Sequence, residues 1–253
     1  MPKKTRPIRE SRKIEVQYRN ALLVRAKWLE EHQDQILREL KQQTDAPGTD
    51  LRTKINAKRD AYLARFPIRM TQRLAKRFYQ RISSYNEKEM NGAFKALGID
   101  LAGELTKSGL KDFSNIAIQN QVNLIKSISD DYFDKIENLV YNGVMNGEDF
   151  ETLGKKIQDA TGATKKRAKF LARDQVSSIN GSLSRARAEQ AGITSMQWVK
   201  TKPSKTKNYT PRQSHIDADG KIFDIDKGLK VDGKYIWPSS EIGCTCVARY
   251  IVE

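Results

Sequence analysis

A change of period near residue 195 constrains this chain more than any other feature. Before it, apolar residues recur three, four or seven apart; after it, they alternate in short runs separated by turn-forming residues. The first spacing gathers side chains on one stripe of a helix, and the second on one face of a strand. The expected class is therefore mainly α, α+β overall, with long amphipathic helices followed by a small C-terminal antiparallel β module. The expected divisions are a basic helical region over 1–97, a connector over 98–111, a helical part over 112–194 and a β-containing module over 195–253.

The helical part reads from its stripes. From Ser11 to Gln43, residues Ile14, Tyr18, Leu22, Leu29, Ile36 and Leu40 share one face, and Asp45-Ala46-Pro47-Gly48 supplies a turn. Next come Ile55, Leu63, Phe66, Met70, Leu74, Phe78 and Ile82. Pro67 lies among them and should kink or divide the helix, because it lacks a backbone donor and crowds the preceding turn. The glycine-containing stretch 91–110 reads as a looser connector. Ile116, Ile118, Val122, Ile125, Ile128, Phe133, Ile136, Val140 and Val144 then predict a long helix ending near Asn146-Gly147. A short helix with Phe150, Leu153 and Ile157 is expected to end at Thr161-Gly162. Another follows, capped by Thr164, carrying Ala168, Leu171, Ala172, Val176, Ile179 and Leu183, and stopped by Gly192.

Charge bears on partners. The formal net charge is +15, and the first hundred residues hold 23 Lys and Arg against 12 Asp and Glu. Between Leu51 and Ile82 there are ten basic residues and one acid, Asp60. Such an excess favours a polyanion, so Arg59, Arg65, Arg69, Arg73, Lys76, Arg77 and Arg81 are candidates for contact with double-stranded DNA. An acidic protein surface is a second reading, and a merely solvated helix face a third. No apolar run approaches the roughly 18 residues of a membrane span, so none is expected. The N-terminus lacks the apolar segment of a secretory signal. Two cysteines make no disulfide framework, which suits synthesis in a reducing cytoplasm.

Beyond residue 195, Met196 to Lys200 reads as a strand, and Lys202 to Thr210 as a polar, basic loop. Ala218-Asp219-Gly220-Lys221 has the chemistry of a hairpin turn leading into Ile222-Phe223. Lys234 to Trp237 is a short strand halted by Pro238, and Thr245 to Val252 is the last. Four strands are expected to form a small sheet packed on the preceding helix.

This module also holds the chemistry-bearing residues. His215, Cys244 and Cys246 have the softness zinc prefers, with Asp217 or Asp219 to complete a tetrahedron. The other reading is two small buried thiols and a hydrogen-bonded histidine that tie the turn to the last strand. Apart from zinc, no cofactor is expected. His215, Asp217, Asp219, Gly220 and Asp226 partly imitate a calcium loop, although it would begin with His and end with Asp. A His beside two carboxylates also invites a metal-dependent nuclease, and His215 with Cys244 a nucleophile–base pair. No second histidine lies nearby in sequence, and there is no phosphate-binding or dinucleotide glycine pattern. An enzyme is therefore not expected.

Three groups of residues together resemble the Mu-F-like phage head-morphogenesis family. They are Ala172-Arg173-Asp174-Gln175 running on to Gln190-Ala191-Gly192-Ile193; the Trp198 strand followed by Arg212-Gln213-Ser214-His215 and Asp219-Gly220-Lys221-Ile222-Phe223; and Cys244-Thr245-Cys246. The likeness extends upstream through Asn123-Leu124-Ile125-Lys126 and Gly147 to Leu153, covering about 116–250. The family usually has Cys-Arg-Cys where this chain has Cys-Thr-Cys, and often an extra Cys-x-x-Cys that this chain lacks.

The resemblance implies a minor head protein, a low-copy virion component that associates with the portal during capsid assembly. Capsid or scaffolding proteins are further implied partners, and some relatives are implicated in handling DNA at ejection. The location implied is the capsid interior or portal vertex, after synthesis in a host bacterium. Trp198, Arg212, His215, Gly220, Phe223, Cys244 and Cys246 would form a structural motif, with Arg212 and His215 as hydrogen-bonding anchors and Trp198 and Phe223 in the small core. Some relatives carry a toxin or transferase domain after the Cys-x-Cys strand; seven residues follow Cys246 here, and no such domain is expected. The alternatives are a metal-dependent, nuclease-like enzyme and a stand-alone DNA-binding protein.

Overall fold

In the computed structural model, which describes residues 2–41, 49–101, 110–201 and 212–252, helices dominate and the strands are short. In chain order the elements are β1 (Lys3–Lys4), α1 (Arg12–Lys41), α2 (Thr49–Arg65), α3 (Ile68–Lys95), α4 (Lys111–Met145), α5 (Phe150–Gln190), β2 (Ser195–Val199), α6 (Gln213–Asp217), β3 (Ile222–Asp224), β4 (Leu229–Val231), β5 (Lys234–Ile236) and β6 (Val247–Val252). The class is mainly α, α+β, as expected. Pro67 separates α2 from α3, its carbonyl accepting the amides of Met70 and Thr71 in the first turn of α3. The expected Asp45–Gly48 turn, the Lys202–Thr210 loop and residues 102–109 of the connector lie outside the described residues, as do the side chains of Leu40, Val144 and Phe150.

One helix break expected from sequence does not occur. Thr161-Gly162 and Thr164 sit inside the 41-residue α5. The hydroxyls of Thr161 and Thr164 donate back to the carbonyls of Ile157 and Ala160 at 3.1 and 3.0 Å. A threonine bonded to the carbonyl four residues back continues a helix rather than capping one. Three stripe residues are also corrected: Leu63, Met70 and Ile116 are exposed.

The chain divides into two compact units. The first comprises Met1–Glu15, Phe78–Ala117 and Arg173–Glu253; the second comprises Val16–Arg77 and Ile118–Ala172. In the second unit the core gathers Leu29 and Ile36 of α1, Tyr62 and Phe66 around the end of α2, Phe133 and Ile136 of α4, and Ile157 of α5. Tyr18 donates to Gln121 at 2.9 Å within it, and burial raises the phenol's pKa.

The first unit is organised on a four-stranded antiparallel sheet in the order β1-β6-β2-β3. Its core joins Met90 and Phe94 of α3 and Ala188 of α5 to Met196, Trp198, Phe223 and Tyr250 of the sheet. The outer strand β1 lies ahead of the first helix, at the start of the stretch read from sequence as a basic helical region. Thr5 continues its pairing, giving its amide to the Tyr250 carbonyl and taking the Tyr250 amide on its hydroxyl, both at 3.0 Å. The terminal segment thus covers an edge of β6 that would otherwise present unpaired backbone groups. The expected single sheet is corrected too, since β4 and β5 form a separate two-stranded ribbon. Its turn is Asp232-Gly233, both at positive φ, as a two-residue hairpin of this hand requires.

Candidate functional site

The site lies within the first unit, where three segments converge. The first is α6, a short helix preceded by Arg212, an extended residue. One helical turn separates Arg212 from His215, so both side chains reach the same carboxylate. His215 Nε2 lies 3.0 Å from Glu241 Oε2, and Arg212 Nη1 lies 3.1 Å from that oxygen while its Nη2 donates to the Ile242 carbonyl at 2.9 Å. An ionised carboxylate can only accept, so Nε2 carries the imidazole proton in this pair. The other ring nitrogen, Nδ1, then offers its lone pair.

That lone pair faces the second segment. Nδ1 is 3.5 Å from Cys244 Sγ and 3.8 Å from Cys246 Sγ, and all three residues are buried. Trp198 closes the cluster from β2, its ring edge-on to the imidazole with centroids 5.2 Å apart. The indole N–H is buried with no hydrogen-bond partner among the described residues, and Trp198 favours the ionised form of Cys246. The two thiols are hydrogen-bonded to each other. The hydrogen bond from Cys246, helped by backbone amides, lowers the Cys244 thiol's pKa against the opposing effect of burial. Cys246, hydrogen-bonded to that sulfur and buried, is pushed up.

The third segment is α5, which fixes the loop before β6. Asp174 Oδ1 accepts the Gly243 amide at 2.6 Å. Ser177 Oγ reaches the Cys244 carbonyl at 3.2 Å and Ser239 Oγ at 3.0 Å, and the Ser239 hydroxyl donates to the Cys246 carbonyl at 2.6 Å. Gly181 admits this loop: a Cβ there would stand 2.9 Å from Ser239 Cβ and 3.1 Å from the Pro238 carbonyl oxygen.

The structure therefore brings Trp198, Arg212, His215, Cys244 and Cys246 into one cluster. Phe223 packs beside Trp198 at 6.3 Å between centroids. Gly220 donates its amide to the Trp198 carbonyl at a positive φ that suits glycine. The Asp219-Gly220 turn joins α6 to β3, correcting the expected strand-to-strand hairpin. Asp217 and Asp219 are exposed and engaged elsewhere, by Gln213 and by the Lys200 amide. Neither completes the Cys–His set, and the calcium-loop reading is corrected with them. Glu241, Ser177, Gly181 and Ser239 were not singled out from sequence. The spacing of Ser177, Gly181 and Ser184 on one face of α5 is the one local signal of a close approach.

The basic candidates separate into two kinds. Arg59 is an ion-pair residue, 2.7 Å from Asp134 and 3.7 Å from Glu137, with its guanidinium over the Phe133 ring. This corrects its place among the surface cations. Arg65 lies over the Phe66 ring at 5.6 Å. Arg69, Arg73, Lys76, Arg77 and Arg81 are exposed along α3 and have no ion-pair partner among the described residues. No helix among the described residues is long and apolar enough to cross a membrane.

An uncharacterised protein of Haemophilus influenzae is 32% identical over 184 residues, which make up 72% of this chain and 39% of that relative. The chain thus spans well under half the length of the relative it matches. No solved structure matches. The family described as "Phage Mu protein F like protein" matches residues 134–249, a stretch that begins in α4, ends in β6 and contains the whole Cys–His cluster with its supports. Over that stretch, a little under half of its length, the chain is similar to the phage Mu protein F like family.

Proposed function

We propose that this chain is a minor head protein, a low-copy virion component that joins the portal during head assembly and presents a basic helix face to packaged or ejected DNA. The observation that carries this reading is the match to the Mu-F-like family over the stretch that forms the Cys–His cluster. Within that stretch, Asp174, Trp198, Arg212, His215 and the two cysteines are engaged with one another and with the loop they enclose. A knot of that kind holds a docking module in shape. Its location in this reading is the capsid interior or portal vertex, with portal, capsid or scaffolding proteins as neighbours.

Co-sedimentation with purified portal rings tests the reading directly. Binding that survives moderate salt is expected, and His215→Ala or Cys246→Ala should lower both thermal stability and incorporation into particles. Unchanged incorporation in both variants, or no portal binding by the native chain, overturns it.

A stand-alone DNA-binding role is the second reading, favoured by the exposed cations of α3. Its mark is binding to duplex DNA alone that falls steeply with salt, as counterion release requires. A metal-dependent nuclease fits less well, because the acids that would join His215 are exposed and held by other groups.

A further inference from the structure

We propose that His215, Cys244 and Cys246 form a binding site for a soft divalent cation, with zinc preferred. The inference concerns the cluster itself and stands whether or not the chain serves in a virion. The one group of histidine, cysteine and acidic side chains with suitable geometry among the described residues is this one, its three ligand atoms lying within 4.8 Å of one another.

The distances fit a tetrahedron. Zinc–sulfur bonds of about 2.3 Å and zinc–nitrogen bonds of about 2.0–2.1 Å give a nitrogen–sulfur edge of about 3.6 Å. The two observed separations from Nδ1 are 3.5 and 3.8 Å. Ordinary packing does not require one nitrogen lone pair to face two sulfurs. The imidazole is also oriented as ligating histidines are, with its remote nitrogen held by Glu241, which Arg212 holds in turn. Such a carboxylate behind the ring fixes the tautomer and raises ligand basicity.

Charge and polarity agree with the geometry. Two thiolates, a neutral imidazole and a dication sum to zero, which a buried site tolerates far better than a bare ion. The buried Trp198 N–H has no other partner among the described residues and lies beside Cys246, where it suits a metal-bound thiolate. Two sulfurs and one nitrogen exclude calcium and magnesium, which take oxygen ligands. Three protein ligands leave one position, which we assign to water.

Cobalt substitution tests the site with a spectroscopic signature. The full-length native chain, reduced and freed of metal by a chelator, is titrated with Co²⁺. Thiolate-to-cobalt charge-transfer absorption and tetrahedral d–d bands are expected to saturate at one equivalent and to vanish on adding Zn²⁺. Zn²⁺ alone should raise the unfolding temperature. Cys244→Ser should reduce the charge-transfer band, Glu241→Gln should weaken Co²⁺ binding about 10–100-fold, and Asp217→Asn should change neither. Absence of the bands in the native chain overturns the proposal whatever the variants do. So does a Cys244–Cys246 disulfide that resists the reductant, or an Asp217→Asn loss equal to that of Cys244→Ser.

Discussion

The carboxylate of Asp174 accepts the Gly243 amide at 2.6 Å, so α5 holds the backbone immediately before the first cysteine. The two residues lie 69 positions apart, and the bond is partly buried. A hydrogen bond to an ionised carboxylate contributes about 1.5–3 kcal/mol. Asp174→Ala is expected to lower stability by that amount in urea unfolding. Asp174→Asn, which keeps an acceptor oxygen, should lose less. Equal losses would mean that the charge of the carboxylate, and not an acceptor oxygen alone, supplies the stabilisation.

Gly181 and Ser239 are coupled by contact. A methyl at 181 would lie too close to Ser239 Cβ and the Pro238 carbonyl, neither of which is a flexible side-chain end. In an open helix, replacing glycine with alanine gains about 1 kcal/mol. Here overpacking should cost about 1–3 kcal/mol and reverse the sign. Ser239 itself sits at φ 67, which glycine adopts freely. Ser239→Gly should therefore ease Gly181→Ala, giving a double variant more stable than the two separate losses predict. Additive losses in a double-mutant cycle would contradict the contact.

How far the sequence reached follows from which interactions are local. The change from helical to alternating period was legible because each period reflects one face of one element. The residue types of His215, Cys244 and Cys246 marked the site, since few side chains offer soft ligands. The pair Asp219-Gly220 and Asp232-Gly233 shows where local reading stops. The same dipeptide makes a helix-to-strand turn at the first place and a strand-to-strand turn at the second, and the flanking tertiary pairing decides which. Strand β1 was illegible because Lys3 and Lys4 carry no apolar alternation; β6, far away in sequence, recruits them. Glu241 was equally hidden, an acid among many until the fold sets it against Arg212 and His215.

Asn86 is a second hidden centre, and its burial makes it costly to alter. Its amide group gives to Asn180 Oδ1 at 2.9 Å and Ser184 Oγ at 2.6 Å, while its oxygen accepts the Arg187 guanidinium. Arg187 is 2% exposed, and desolvation lowers its pKa. Asn86→Leu removes an acceptor from a buried cation, at a cost of about 3 kcal/mol or more. Replacing both partners with apolar residues, Asn86→Leu with Arg187→Met, should recover much of that loss, because no charge is then left stranded. Equilibrium unfolding of the two single variants and the double variant measures the recovery, and a double variant weaker than either single one would count against it.

The cations of α3 make the last and most direct prediction about function. Arg69, Arg73 and Arg77 follow one another at intervals of four, which places them on one side of the helix, exposed. If that side lies on duplex DNA, each phosphate no longer neutralised should flatten the plot of log K against log salt by about 0.9. The triple change of these arginines to glutamine should therefore reduce the slope by roughly 2–3 and leave folding intact. Arg59→Gln should do the reverse. Its guanidinium pairs with Asp134 and Glu137, so its loss should weaken the fold of the second unit while sparing the salt slope. An unchanged slope in the triple variant would remove α3 from the DNA interface and leave the basic excess to a protein partner.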